Sequence, residues 1–216
     1  MASPASVPYL FDFHNIQIES LIGFILGMLF SVLFNAEGQA YLATVLGDRR
    51  EAPKDRFHFN AFLHLDILGT AAFLLGGFGW PKQISVEEKN FPHPKLYTII
   101  TRLSGPLANL LAAGIAASMI SILMALMQLH PQIFLGVVAV NVTVAVYNLI
   151  PIPPLAAGNC LVALLSDRLA PLKTKLQFIG PWVIVAFLVF ERLYPTGIFE
   201  GYLNPLVRTV YGFITG

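Results

Sequence analysis

The chain has 216 residues, of which 56% are hydrophobic and only 12% charged, and its formal net charge is +1. Because soluble domains carry about 25% charged residues, this composition excludes an ordinary soluble domain, and the near-neutral charge gives no indication of a nucleic-acid partner. Apolar runs that exceed the ~18 residues of a membrane span predict an all-α polytopic membrane protein. The single cysteine, Cys160, cannot form an internal disulfide and is expected to be a small buried hydrophobic residue.

The first 19 residues contain Asp12 and Glu19 but no lysine or arginine. A secretory signal peptide begins with a positively charged region. We therefore expect residues 1–17 to be a retained extra-cytoplasmic segment rather than a cleaved signal.

Five apolar runs follow, which are residues 18–46, 67–80, 96–129, 132–165 and 176–193. The second run has ~14 residues, whereas a span needs about 20. Prolines at positions 151, 153 and 154 interrupt the fourth run. The pattern predicts five to six membrane segments in one embedded domain, residues 18–194.

Positive charge discriminates between two topologies for the short second run. Basic residues cluster in residues 49–56, 82–102 and 168–175, whereas the connection at 128–132 has none. Cytoplasmic loops carry an excess of lysine and arginine, and all three clusters are cytoplasmic only if residues 67–80 enter the membrane and return. We therefore predict a re-entrant or buried second segment in a prokaryotic cytoplasmic (inner) membrane, with the N-terminus outside the cytoplasm.

The C-terminal residues 195–216 show apolar side chains at helical spacing, namely Phe199, Tyr202, Leu203, Leu206, Val207, Val210, Tyr211 and Ile214. Polar residues alternate with them, namely Glu200, Asn204, Arg208 and Thr209. This pattern predicts an amphipathic helix lying in the membrane interface. A helix packed on the bundle is an equal alternative.

Three patches carry motifs. Residues 35–48 read N-A-E-G-Q-A-Y-L-A-T-V-L-G-D, residues 59–70 read F-N-A-F-L-H-L-D-I-L-G-T, and residues 148–157 read N-L-I-P-I-P-P-L-A-A. Between the last two lie F-G-W-P-K at 78–82 and G-P-L-A-N at 105–109. In this order the patches resemble the site-2 proteases, which are intramembrane zinc metalloproteases, in their small branch without a PDZ domain. The family's motifs are H-E-x-x-H-A-x-x-A-x-x-L-G-D, F-N-P-x-x-H-I-D-P-x-G-T and N-L-x-P-I-P-P-L-D-G.

The resemblance implies a site-2-protease-like core, but every residue that would hold or activate a zinc-bound water differs. Asn35 and Gln39 stand at the two histidine positions, Ala36 at the glutamate and Ala156 at the aspartate. Amides are poor zinc ligands beside imidazole and carboxylate, and alanine has no donor atom. We therefore expect no metal cofactor and no peptidase activity.

A relocated metal site would have to draw on Glu37, His58, His64, Asp66 and Cys160. Glu37 lies one position past the family's glutamate, about 100° further around the helix, and does not inherit its role. His64 and Asp66 match a motif outside the zinc shell, so we expect them to form hydrogen bonds at the mouth of a membrane segment.

Small and polar residues recur every four positions on the first helix, at Gly23, Gly27, Ser31, Asn35 and Gln39. Glycine pairs at this spacing allow close helix contacts. Gly23, Gly27 and Ser31 therefore predict a helix-packing surface, covered either by a partner helix or by this chain's own fourth helix. Further along, Asn35, Gln39, Asn109 and Asn148 are candidates for a buried polar network in place of the metal.

These observations favour a pseudoprotease: an accessory, assembly or stabilising subunit whose partners are other integral membrane proteins and the lipid bilayer. Two alternatives stay open. One is an active intramembrane metalloprotease with non-standard ligands. The other is a membrane module that binds a lipid, a quinone or a pigment.

Overall fold

The computed structural model describes residues 17–48, 57–127, 131–194 and 196–216. These residues form helices, turns and an isolated β-bridge, which confirms the predicted helical class. The α-helices are α1 (Ile18–Val45), α2 (Ile67–Gly76), α3 (Pro94–Met127), α4 (Gln132–Tyr147), α5 (Ala156–Leu164), α6 (Ala170–Leu193) and α7 (Asn204–Thr215). The predicted N-terminal segment to residue 16 and the basic loop 49–56 lie outside the described residues.

Helices α1, α3 and α4 pack against one another and form the centre of the bundle. Every residue of α4 from Gly136 to Tyr147 is buried, so this short apolar helix is enclosed by protein. Three described helical segments are long and apolar enough to cross a membrane, namely Ile18–Val45, Pro94–Leu126 and Asp167–Leu193. Helices α2 and α4 are apolar but shorter. The chain is therefore a helical membrane protein with long and short apolar helices.

The two ends of the segment around α2, at Leu65 and Pro81, lie next to each other. Leu65 and Pro81 form an antiparallel bridge, and the Lys82 N–H donates to the His64 carbonyl at 2.7 Å. The Asp66 side chain accepts from the Gly69 N–H at 2.7 Å and from the Trp80 indole at 3.0 Å. A segment that crossed the membrane would end far from its start, so this hairpin has the geometry of the predicted re-entrant segment.

The proline-rich break separates α4 from α5. The Asn148 side chain accepts from the Ala156 N–H at 2.9 Å, and the Asn148 carbonyl accepts from the Ala157 N–H at 2.9 Å. The Pro154 carbonyl accepts from the Asn159 side chain at 2.8 Å. These hydrogen bonds satisfy backbone groups of the break within the protein, as a membrane environment requires.

The C-terminal helix α7 packs against α4. Val207 is fully buried, and the buried Asn204 accepts a hydrogen bond from the Tyr147 hydroxyl at 2.9 Å. The amphipathic pattern places Asn204 on the polar, solvent-facing side of this helix, and that prediction is wrong. Asn204 is buried because Tyr147 of α4 donates a hydrogen bond to its side chain. Of the two alternatives for this helix, packing on the bundle therefore applies to the face that carries Asn204 and Val207.

Candidate functional site

Asn35 and Gln39, which occupy the two histidine positions of the motif, hydrogen bond to each other. Gln39 Nε2 donates to Asn35 Oδ1 at 2.8 Å, and Asn35 Nδ2 donates to Asn109 Oδ1 at 2.7 Å. Asn35 and Asn109 are buried. The side chains at positions 35 and 39 of α1 are thus joined to α3 by amide hydrogen bonds.

The network extends in both directions beyond these three amides. Asn109 Nδ2 donates to the Ser31 carbonyl at 2.9 Å and to Asn141 Oδ1 at 3.0 Å. At the other end, Arg102 Nη1 donates to Gln39 Oε1 at 3.0 Å. We refer to Ser31, Asn35, Gln39, Arg102, Asn109 and Asn141 as the amide network.

Sequence reasoning missed Arg102 and Asn141 as members of this network. Arg102 was grouped with the basic cluster at 82–102, although an ionisable residue inside an apolar helix is itself a signal of function. Asn141 lies in the middle of the apolar α4, where it is fully buried, and buried polar groups need partners. Both signals were present, but neither identifies the partner.

Close approach of α3 holds the amides in place. A β-carbon at Gly105 would lie 2.5 Å from Asn35 Oδ1 and 2.9 Å from Gln39 Nε2. The space that a side chain at position 105 would fill is therefore occupied by the two amides. Ser104 supports the same contact, because its hydroxyl donates to the Gly38 carbonyl of α1 at 3.1 Å.

Asn148 does not join the amide network. Its Nδ2 donates to the Val144 carbonyl at 2.8 Å and its Oδ1 accepts from the Ala156 N–H, so it links the end of α4 to the start of α5. Ala36 and Ala156, which stand where the family motifs have glutamate and aspartate, are both buried. The structure therefore brings together three of the four amides predicted to meet.

The residues that could form a relocated metal site make separate contacts and do not converge on one point. Glu37 Oε1 accepts from the His58 N–H at 2.8 Å and lies 3.0 Å from His64 Nε2. Glu37 Oε2 is buried and has no hydrogen-bond partner among the described residues. Asp66 is engaged at the start of α2, and Cys160 lies 3.8 Å from the Ile99 carbonyl. Across the described ranges, no group of three or more His, Cys, Asp or Glu side chains is arranged to hold a metal ion.

The predicted surface of Gly23, Gly27 and Ser31 faces α4. A β-carbon at Gly23 would lie 3.1 Å from the Ile133 carbonyl oxygen, and one at Gly27 would lie 2.9 Å from the Val140 β-carbon. Ser31 is also buried. Of the two predicted occupants, the chain's own fourth helix packs on this surface in the structure.

The chain is similar to a protein of Bacillus subtilis (strain 168) named "Putative zinc metalloprotease YwhC", with 26% identity over 192 residues, which is 85% of each chain. The likeness is to a protein named as a putative zinc metalloprotease. It covers most of the chain and supports the resemblance to a site-2-protease-like family. No family model matches this sequence, and no solved structure matches it.

Proposed function

We propose that this protein is a proteolytically inactive relative of the site-2 proteases that acts as an accessory, assembly or stabilising subunit for other integral membrane proteins. The observation that carries the proposal is the pair of hydrogen bonds from Gln39 to Asn35 and from Asn35 to Asn109. The side chains at the metal-ligand positions bind each other and α3.

The chemistry of the four positions supports inactivity. A catalytic zinc site needs three protein ligands and an open position for water. Neutral amides at 35 and 39 are weak donors to zinc, and they are engaged in the network. Alanine at 36 supplies no general base, and alanine at 156 supplies no third ligand.

A second candidate function, an active metalloprotease with non-standard ligands, is favoured by one observation. Glu37 and His64 form a buried pair, and Glu37 Oε2 has no partner in the described residues. Two side chains fall short of the three protein ligands of a catalytic zinc. For this reason the inactive form is the better-supported proposal.

The protein is also proposed to lie in a prokaryotic cytoplasmic membrane with its N-terminus outside. The bridge between Leu65 and Pro81 supports this arrangement, because a hairpin there leaves the basic residues of 82–102 and 168–175 on the same side as the end of α1. The distribution of lysine and arginine then follows the positive-inside rule.

Protein purified without chelators should contain far less than stoichiometric zinc and should not cleave a membrane-embedded reporter peptide. Elemental analysis and a cleavage assay measure these two properties. The matched control restores the family residues through Asn35→His, Ala36→Glu, Gln39→His and Ala156→Asp together. Stoichiometric zinc in the unaltered protein, lost in Glu37→Gln and His64→Ala variants, would establish the second candidate function instead.

The accessory role predicts that the protein forms a stable complex with another integral membrane protein. Tagged protein extracted in a mild detergent should elute from a sizing column with a second integral membrane protein at constant stoichiometry. An unrelated tagged polytopic protein of similar size controls for aggregation. Elution of the chain alone, or only with copies of itself, at several detergent concentrations would contradict the accessory role.

A further inference from the structure

We propose that a polar cavity beside Arg102 binds a phosphate group, carried either by inorganic phosphate or by a phospholipid headgroup. The cavity lies between α3, α5 and α6, has a volume of about 270 Å³, and is lined by Thr98, Arg102, Asn159, Lys173, Thr174 and Gln177. Sites for drug-sized ligands measure roughly 300–1,000 Å³, so this cavity suits a smaller group. The inference does not rest on the proposed pseudoprotease function.

Arg102 supplies a guanidinium with unused hydrogen-bond donors to the cavity. In the described part of the chain its hydrogen bonds leave from Nη1, to Gln39 Oε1 at 3.0 Å and to the Ile84 carbonyl at 3.4 Å. The ion pairs among the described residues do not include Arg102. A guanidinium has five N–H donors in a planar fork that matches phosphate oxygens. Donors on Nε and Nη2 are therefore available to an anion.

Thr98 provides an independent indication of a ligand. Its side chain is 4% exposed and lines the cavity, and its hydroxyl has no hydrogen-bond partner among the described residues. A buried hydroxyl without a partner costs free energy. An oxygen of a ligand in the cavity would accept the hydrogen bond that Thr98 lacks.

The charge balance of the lining favours an anion. Arg102 and Lys173 are the cations of the lining, and Glu88 is its carboxylate. Lys173 forms an ion pair with Asp167 at 2.9 Å, but that carboxylate is 91% exposed. Water screens an ion pair whose carboxylate is this exposed, so a phosphate can compete with Asp167 for Lys173. Among the residues that line the cavity, the two cations outnumber the one carboxylate.

The neighbouring surface is compatible with a lipid as the source of the phosphate. Leu172 and Leu176 are exposed on α6, next in sequence to the lining residues Lys173 and Gln177. An acyl chain could lie against these leucines while its phosphate enters the cavity. Inorganic phosphate would use the same polar groups without the leucines.

The test measures binding by the full chain of two probes. Inorganic phosphate is titrated calorimetrically against protein in detergent. Thermal stability is then compared in nanodiscs that contain phosphatidic acid in phosphatidylcholine or phosphatidylcholine alone. Saturable binding of inorganic phosphate identifies a free-phosphate site. A higher unfolding temperature in phosphatidic acid, without binding of inorganic phosphate, identifies a lipid site.

Variants assign the binding to this cavity. Arg102→Gln and Lys173→Gln should each weaken binding about tenfold or more, because each removes a charge-assisted hydrogen bond. Thr98→Val keeps the side-chain shape and removes the unpaired hydroxyl, so it should fold as well as the unaltered protein and still bind less tightly. Lys175→Gln removes an exposed charge from the same helix and should change binding by less than about twofold.

Two results would overturn the proposal. One is the absence of both saturable phosphate binding and a difference between the two nanodisc compositions. The other is equal weakening by Lys175→Gln and Lys173→Gln together with unchanged binding by Thr98→Val, which would show attraction to general positive charge rather than to this cavity. Thr98→Val keeps the test decisive even if Arg102→Gln fails to fold.

Discussion

Replacing Asn109 with leucine will destabilise the folded bundle by about 2–4 kcal/mol, because hydrogen bonds between membrane helices contribute about 0.6–2 kcal/mol each. Asn109 is fully buried and its side chain bonds to Asn35, Ser31 and Asn141. Leucine has a similar size but leaves these groups without a partner, and unpaired buried polar groups are costly. Reversible unfolding in mixed micelles measures the change.

The control for this prediction is Ser118→Ala. Ser118 is an exposed residue of the same helix, and its hydroxyl donates to the Gly114 carbonyl one turn earlier. Its removal should change the free energy of unfolding by less than about 0.5 kcal/mol. A double-mutant cycle with Asn35→Leu should then show coupling between Asn35 and Asn109. Equal small effects at Asn109 and Ser118 would mean that the amide network does not stabilise the fold.

Gly158→Ala will destabilise the protein by about 3 kcal/mol or more, or prevent accumulation of folded protein, because backbone atoms already occupy the space that the alanine β-carbon needs. A β-carbon at position 158 would overlap the backbone of Ile152 and Pro153. If the overlapping atoms belonged to a side chain, that side chain could rotate away. These atoms belong to the backbone of the proline-rich break, so the backbone itself would have to move. The same break also contacts Gly180 of α6, where a β-carbon would overlap the Pro153 carbonyl.

Gly114→Ala is the matched control, because a β-carbon built there meets no atom of the described residues within 4 Å apart from the adjoining backbone of its own helix. Alanine should stabilise α3 by about 0.5–1 kcal/mol, since glycine is a poor helix former. Expression yield and thermal unfolding in detergent measure both variants. The two substitutions are chemically identical and should have opposite signs. A Gly158→Ala protein as stable as the unaltered one would refute the close contact between α5 and the break.

The segment around α2 illustrates which part of the membrane topology can be predicted from the sequence. Its length and the placement of lysine and arginine predicted a segment that enters and returns, and the bridge between Leu65 and Pro81 has that geometry. Both signals can be read from a short stretch of sequence. The length of a span and the charge of a loop are set by the thickness and polarity of the membrane, and not by which helices pack together. The expected roles of Asp66 and His64 at the mouth of this segment also follow from local motifs, and both form hydrogen bonds there.

The amino-acid sequence by itself determined the membrane class, the approximate positions of the long apolar helices, the resemblance to site-2 proteases and the absence of side-chain donor atoms at 36 and 156. Only the tertiary structure decided that α4 covers Gly23 and Gly27, that Asn204 is buried beside Tyr147, and that Arg102 and Asn141 rather than Asn148 join the amide network. Helical periodicity states which residues share a face. It does not state which helix covers that face, because pairing depends on contacts between residues far apart in the chain. Amides illustrate the limit well, since each can donate and accept and so fits several partners until the packed neighbours select one.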